Sequence, residues 1–379
     1  MSAARYLIVG GGMTGDAAAK GIREHDADGT IVIVGAEPHE PYARPPLSKK
    51  LWAGGAEDKI WRGTAETGAE LRLGHRIVEL DLPGRRAVDD AGEEYAWDKL
   101  LLATGGRPRT LPGAEGVNYF RFLDDYRDLR ARAVDGARVV VIGGGFIGSE
   151  LAAAATSAGA KVTMVFPEPG ICWRIFPADL SEYVTSDYRG RGVEVLAGES
   201  VSSASGTSVT LGSGRVIEAD AVVAGLGIVP DTELAESAGL PVDDGIVVDL
   251  YGRVEGQKDV FAAGDVASFP SATLDRRVRV EHEDHAKSHG RLVGANMAGA
   301  NEPYEHLPFF YSDLFDLGYE AVGELDSRLR TIEDWQEPYR KGVVTYVGDD
   351  GRPRGVLNWN VWDALDAARE LLREGAPIG

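Results

Sequence analysis

The sequence predicts an α/β protein with two doubly wound, Rossmann-like units and a smaller α+β tail. Three observations carry that expectation. A run of β-branched residues, Val139 to Ile142, passes straight into Gly143, Gly145 and Gly148 at the spacing G-x-G-x-x-G, and a helix is read from Leu151 to Ala158. The same order occurs near the N-terminus, where Tyr6 to Val9 feed Gly10, Gly12 and Gly15, and Asp16 to Arg23 read as the following helix. Finally, 379 residues are enough for two or three domains with ample core.

The glycine spacing has a physical basis. The first glycine allows a tight turn, the second lets the backbone approach a pyrophosphate, and the third lets helix and strand pack closely. An anion then rests on the helix N-terminus, where free N–H groups and the positive end of the dipole favour it. After the first loop a second strand, Ile31 to Val34, ends at Gly35-Ala36-Glu37, where such a fold places an acid on ribose hydroxyls. Two complete fingerprints imply two dinucleotides.

Composition narrows the function. A hydrophobic share of 44% and a charged share of 26% are ordinary for globular chains. No run of about 18 apolar residues predicts a membrane span. The first strand begins at Tyr6, which leaves no room for a signal peptide and leads to the expectation of a cytoplasmic protein. Cys172 is the only cysteine, so neither an intramolecular disulfide nor a C-x-x-C redox pair can form. The net charge of −20 argues against nucleic acid and disfavours a strongly acidic carrier.

In chain order, Pro41 to Trp52 (PYARPPLSKKLW) has a double proline that fixes an extended entry. Ser48 to Leu51 is then expected to start a short helix that presents Lys49. Leu71 to Val88 alternates like a strand around a Pro83-Gly84 turn, and Asp98 to Ala103 reads as a buried strand closed by Thr104-Gly105-Gly106. Leu111 to Val117 is linker-like, and Leu123 to Ala133 reads as a helix. In the second unit, Lys161 to Phe166 puts Phe166 where an acid normally stands. Glu168 follows two residues later, with Arg174 close in sequence. Val193 to Leu196 and Ala219 to Leu226 complete that unit. Gly245 to Leu250 and Val260 to Ala262 read as strands leading to Ala262-Ala263-Gly264-Asp265, where a carboxylate either caps a helix or meets a ribityl hydroxyl. His282, His285 and His289 fall near one helical face. A helix start lined with acids and imidazoles more often caps itself or meets a cofactor than binds metal, so no metal is expected. Phe309 to Leu325, Lys341 to Val347 and Gly355 to Asn360 form a strand-rich tail with a turn at Asp349 to Arg352, closed by a helix from Ala364 to Arg373.

The ordered motifs are fingerprint, R-P-P-L-S-K, A-T-G-G-x-P, second fingerprint ending in G-S-E, G-L-G-x-x-P, A-A-G-D and V-E-H-x-D-H-A. In them the chain resembles the FAD-dependent pyridine nucleotide oxidoreductases of the ferredoxin reductase type. Within that family it looks most like the apoptosis-inducing factor branch, through Tyr311-Ser312-Asp313-Leu314, Gly318 to Ala321 and Trp359-Asn360. The resemblance implies a glutathione-reductase-like architecture without the redox disulfide. The implied parts are a FAD domain from 1–112 and 236–300, an NAD domain from 113–235 and an α+β domain from 301–379.

Residue by residue, the resemblance implies that Gly10, Gly12, Gly15 and Glu37 hold the ADP half of FAD. Arg44, Pro45 and Lys49 would face the flavin, Ile77 the adenine, and Arg127 would reach FAD from between the domains. Thr104, Gly105, Gly264 and Asp265 would line the chain of the cofactor, with His282 by the pyrimidine end of the ring. Gly143, Gly145, Phe146, Ile147 and Gly148 would cradle NADH, with Glu168 on the adenosine ribose and Gly227, Glu281 and Glu320 around the nicotinamide half. Trp61 and Arg174 are looser matches. The family's pair beside flavin N5 falls on Lys49 and Glu150: Lys49 would donate to N5 while Glu150 orients it. Hydride would pass from nicotinamide to N5 once the reacting atoms lie about 3 to 3.5 Å apart.

Two departures stand out. A family tryptophan over the flavin is Tyr311 here, and the long tail insertion of the animal proteins is replaced between Leu325 and Lys341 by what reads as a short connection. The implied function is an NADH:acceptor oxidoreductase. Its acceptor is open between a small molecule, a quinone, oxygen and a carrier protein, and a homodimer is an open alternative. Two rivals stay: a dedicated ferredoxin or rubredoxin reductase, and a redox-responsive module in which NADH forms a long-lived charge-transfer complex and dimerisation is the output.

Overall fold

The computed structural model describes residues 2–378; Met1 and Gly379, the outer limits of the domain expectation, lie outside the described residues. The chain divides into two compact units. One comprises Met1–Ala43, Glu57–Arg107 and Val229–Pro308, the other Arg44–Ala56, Pro108–Ile228 and Phe309–Gly379.

The first unit is built on a parallel core in which Ser2–Val9 lies between Ile31–Gly35 and Glu94–Leu102. Glu70–Leu73 extends one side, and Val260–Ala262 pairs in parallel with Glu94–Leu102. Arg86–Asp89 and Ile77–Asp81 continue the sheet antiparallel. Ile31 to Val34 are buried without a break, which is why the strand reads as a continuous β-branched run rather than an alternating one. Val9 stands opposite both Val34 and Leu102, so the ends of three strands align where the Gly10 loop leaves the sheet. The helices Met13–His25 and Glu283–Met297 lie backbone to backbone: a Cβ on Gly290 would come within 2.6 Å of the Thr14 carbonyl oxygen. The strand expected over Gly245 to Leu250 shrinks to Ile246–Val247. Its cause is Asp249, whose carboxylate accepts the N–H groups of Tyr251 (2.8 Å) and Arg253 (2.9 Å) and turns the chain.

The second unit carries a five-stranded parallel sheet in the order Glu194–Ala197, Lys161–Phe166, Arg138–Ile142, Ala221–Ala224, Asn118–Tyr119. A small antiparallel sheet, Val201–Ala204, Ser208–Leu211 and Val216–Glu218, and the helix Ala178–Gly190 were not anticipated. The fingerprint helix runs Phe146–Ser157, starting directly after Gly145 instead of at Leu151, and this puts Glu150 on the helix itself. The expected helix at Ser48 to Leu51 is a 3-10 turn over Pro45–Ser48, because proline at the first position presets the backbone there. The tail is a five-stranded antiparallel sheet in the order Phe309–Leu314, Leu317–Gly323, Pro353–Trp359, Lys341–Val347, Arg330–Glu337, followed by the helix Leu365–Glu374. The last strand of that order corrects the short connection expected between Leu325 and Lys341.

Candidate functional site

In the first unit the fingerprint loop is shaped by its own backbone. Gly10 has φ +126, and a Cβ there would overlap the Ala103 carbonyl, while a Cβ on Gly15 would overlap the carbonyl of Gly10. The helix that follows has Gly12 at its N-cap and no side chain capping it, so its first N–H groups remain for an anion. At the end of the second strand, Glu37 accepts a 2.5 Å hydrogen bond from the hydroxyl of Tyr42, whose ring meets Trp61 edge-on at 6.1 Å. Asp16, fully buried, accepts from Arg62 Nε (2.5 Å) and Thr64 Oγ1 (2.8 Å) and pairs with Lys20 (2.9 Å), which ties the 62–64 segment to the fingerprint helix. Ile77 is buried in its strand, and Thr104 Oγ1 donates to the Asp231 carbonyl at 2.7 Å beside Gly105.

Asp265 lies in the short turn Gly264–Val266 and does not cap a helix. That turn is held by His289, whose Nδ1 accepts the Gly264 N–H at 3.3 Å, and by Arg279, which donates to the Asp265 carbonyl at 3.3 Å and pairs with Glu281 at 2.5 Å. His282 is the N-cap residue of the Glu283–Met297 helix. Burial pushes His282 down to about 4 and His285 down to about 3, and it holds His289 well below the ordinary imidazole value. All three are therefore neutral at pH 7. His285 Nδ1 contacts the Tyr304 hydroxyl at 3.0 Å, so two of the three imidazoles already use a ring nitrogen within the protein. Among the described residues, His75, Asp89 and Asp90 have ligand atoms close enough for a metal ion. Asp89, however, already accepts from Ala91 N, Glu93 N and the Tyr95 hydroxyl.

In the second unit the fingerprint glycines fall into two kinds. A Cβ on Gly143 (φ +115) or Gly148 would overlap a backbone carbonyl, whereas a Cβ on Gly145 would meet nothing within 4 Å. No packing within the chain explains the absence of a side chain at Gly145. The open space lies at the N-terminus of Phe146–Ser157, where no side chain caps the helix, and it leaves room for a phosphate to approach the backbone. Ile147 is exposed on the same turn, and Phe146 packs edge-on to Phe310 at 5.6 Å. Glu168 is engaged by Arg174 through Nε (3.0 Å) and Nη2 (2.7 Å). Gly227 has φ +78 with open space around its missing side chain.

The same unit brings together Lys49, Glu150 and Tyr311, far apart in sequence. Lys49 Nζ is 2.5 Å from Glu150 Oε1, with side-chain exposures of 11% and 4%, and lies 5.1 Å from the centre of the Tyr311 ring. Glu150 also accepts from Ser48 Oγ (2.5 Å) and Ser312 Oγ (2.6 Å). Glu320 stands opposite Tyr311 in the strand register, with Oε2 buried and unbonded. Burial, with Asp363 adding to it, raises the Glu320 carboxyl above its ordinary value. An acceptor left unsatisfied in this way suits an amide donor arriving with a ligand. Arg44, beside Pro45, donates to the Arg121 carbonyl at 3.0 Å and lies over Phe122 at 5.2 Å. Arg127 pairs with Asp124 (3.1 Å) on the exposed side of its helix. Sequence reasoning passed over Ser48, Ser312, Tyr42 and Asp16. The two serines were inside motifs already recognised, but nothing in the linear order pairs them with Glu150.

Comparison with known proteins fits this geometry. The family described as pyridine nucleotide-disulphide oxidoreductase matches residues 4–290, and the C-terminal segment of mitochondrion-associated apoptosis-inducing factor matches residues 293–338. The chain is 34% identical over 416 residues to the mitochondrial apoptosis-inducing factor 1 of Dictyostelium discoideum, covering 97% of this chain and 78% of that protein. It is 36% identical over 389 residues to the ferredoxin–NAD(+) reductase component of the anthranilate 1,2-dioxygenase system of Burkholderia cepacia, covering 99% and 96%. Among solved structures, that of the covalent putidaredoxin reductase–putidaredoxin complex superposes with a TM-score of 0.91 at 29% identity, covering 100% of this chain and 95% of that one.

Proposed function

The chain belongs to the pyridine nucleotide-disulphide oxidoreductase family and is a FAD-dependent NAD(P)H oxidoreductase; from that premise we propose that it is poised for NADH and passes electrons to an acceptor outside the chain. When bound, FAD would supply the redox chemistry, accepting a hydride from the nicotinamide and passing electrons onward. The side chains do the rest. The loops at Gly10 to Gly15 and Gly143 to Gly148 hold the two pyrophosphates, Glu37 and Glu168 the adenosine riboses, and Asp265 the ribityl chain. His282, neutral by burial, offers a hydrogen bond without placing a charge at the ring. Lys49 donates toward N5, Glu150 keeps it oriented, and Arg44, Pro45, Ile77, Thr104, Arg127, Glu281, Tyr311 and Glu320 complete the two binding surfaces. We place the three domains at 1–112 with 236–300, 113–235 and 301–379.

The observation that carries this reading is the buried Lys49–Glu150 pair, 2.5 Å long between residues 101 positions apart. Shielding a lysine this far is costly unless a counter-charge lies against it, and Glu150 is that counter-charge. Anaerobic mixing with NADH is expected to bleach the visible flavin band, and Lys49→Ala to slow that bleaching by about 10- to 100-fold at unchanged NADH affinity. An unbleached wild-type spectrum would remove the reading. A second reading, a reductase for a ferredoxin-type carrier, is favoured by the full-length similarity to the Burkholderia cepacia component. Cytochrome c reduction that depends on added ferredoxin would select it.

A further inference from the structure

We propose that Ser48 and Ser312 are positioning residues for the reaction, fixing the Glu150 carboxylate so that Lys49 is held still at the flavin; this rests on the role given to Lys49 above. Glu150 leaves the second turn of its helix on a side chain with three rotatable bonds. By itself a single lysine would not immobilise it. Three donors from two segments do: Lys49 Nζ at 2.5 Å and Ser312 Oγ at 2.6 Å on Oε1, and Ser48 Oγ, next to Lys49 in the chain, at 2.5 Å on Oε2. Both oxygens are thereby engaged, and the carboxylate plane is set. The serines are themselves buried, at 5% and 1% exposure. The other acceptor near Ser48 Oγ, the Pro45 carbonyl, is at 3.4 Å, so the short bond to Glu150 takes its proton. Ser312 adjoins Tyr311, whose ring lies beside Lys49, so one strand supports the cation directly and through its counter-ion. Hydrogen bonds aimed at a charged group next to the reacting atoms affect geometry where small displacements are costly in rate.

The test uses Ser48→Ala and Ser312→Ala in the flavin-loaded protein. Each is expected to lower the limiting rate of flavin reduction by NADH by roughly 5- to 30-fold with the NADH Kd changed less than about twofold. Each also shifts the flavin midpoint potential in the direction seen for Lys49→Ala. In a Glu150→Ala background the serine substitutions add nothing to either readout. In the flavin-free protein, Ser312→Ala and Glu150→Ala give melting-temperature shifts that are smaller together than their sum. If Ser312→Ala does not fold, Ser48→Ala carries the same comparisons. Wild-type rates and potentials in the serine variants, alongside a slow Lys49→Ala, would overturn this assignment and leave that of Lys49 standing. Additive effects with Glu150→Ala would overturn it equally. A Lys49→Ala protein reduced at the wild-type rate would instead remove the reading on which it rests.

Discussion

Alanine at Gly145 and alanine at Gly148 should fail in opposite ways, because the two glycines are missing a side chain for different reasons. At Gly145 the backbone is extended (φ −85, ψ −166), a conformation open to alanine, and the added Cβ meets no atom within 4 Å. Replacing an N-cap glycine by alanine costs up to about 1 kcal/mol. Reduced freedom of the unfolded chain returns about 0.4 to 1 kcal/mol. The two nearly cancel, so Tm should move by no more than about 3 °C. The methyl instead occupies the approach of the phosphates to the helix N-terminus, and loss of one charge-assisted hydrogen bond, about 1.5 to 3 kcal/mol, weakens NADH by roughly 10- to 100-fold. At Gly148 the Cβ would overlap the Gly143 carbonyl and approach the Gly143 carbonyl carbon at 2.9 Å, both rigid backbone. Overpacking of that kind costs about 1 to 3 kcal/mol and lowers Tm by several degrees before any ligand is considered. Thermal melts of the flavin-loaded proteins and stopped-flow titration with NADH separate the two. A Gly145→Ala protein that binds NADH as wild type does, or a Gly148→Ala protein that melts as wild type does, would refute the division between ligand-facing and packing glycines.

Three other substitutions test the electrostatics. Asp16→Ala removes the fully buried carboxylate shared by Arg62, Lys20 and Thr64 and should cost about 2 to 4 kcal/mol in urea unfolding, since it strands two cations that keep some exposure. His285 is neutral when folded and has its value lowered to about 3, so its contribution to stability is complete above the unfolded value of about 6.5 and is lost as pH falls from there toward 3. Unfolding free energy measured from pH 7 to 4.5 should therefore drop with acid, and His285→Gln should flatten that slope by about 1.4 kcal/mol per pH unit. Glu168→Ser frees Arg174, now bonded to it at 2.7 and 3.0 Å, for a 2′-phosphate; the preference for NADH over NADPH in kcat/KM should fall by at least about tenfold.

How far the sequence could be read depended on whether the information was local. Lys161–Phe166 and Val260–Ala262 emerge as strands at the residues expected: Val260–Ala262 is a short apolar run buried throughout, and in Lys161–Phe166 the β-rich run is buried at Val162 and from Met164 to Phe166, with only Lys161 exposed. The fingerprints were legible because their glycine spacing is local: Gly15 and Gly148 each lie against the carbonyl of the glycine five residues earlier, although Gly10 and Gly143 answer to Ala103 and Gly225, far along the chain. Arg330–Glu337 reads as a connection because it is an edge strand of mostly polar, exposed residues, half of them charged, a composition that discourages pairing with other chains and hides the strand pattern. The sheet from Val201 to Glu218 was missed for a related reason: its strands are three or four residues long and partly exposed. Within the site, Lys49 and Glu150 came from resemblance. Ser48 and Ser312 did not, since a hydroxyl 102 or 162 residues away from its acceptor leaves no periodic trace.

Cys172 bears on how electrons leave the protein. A disulfide needs two cysteines, and this chain has one. That sulfur is 4% exposed and sits 3.9 Å from the buried hydroxyl of Ser149. Burial pushes the thiol up to about 12, and the nearby Glu150 charge adds to the effect. At pH 7 it is a buried neutral thiol, without the thiolate character that exchange or relay chemistry requires. Electrons delivered to the flavin have no dithiol way-station in this chain, so the acceptor must take them from the flavin itself.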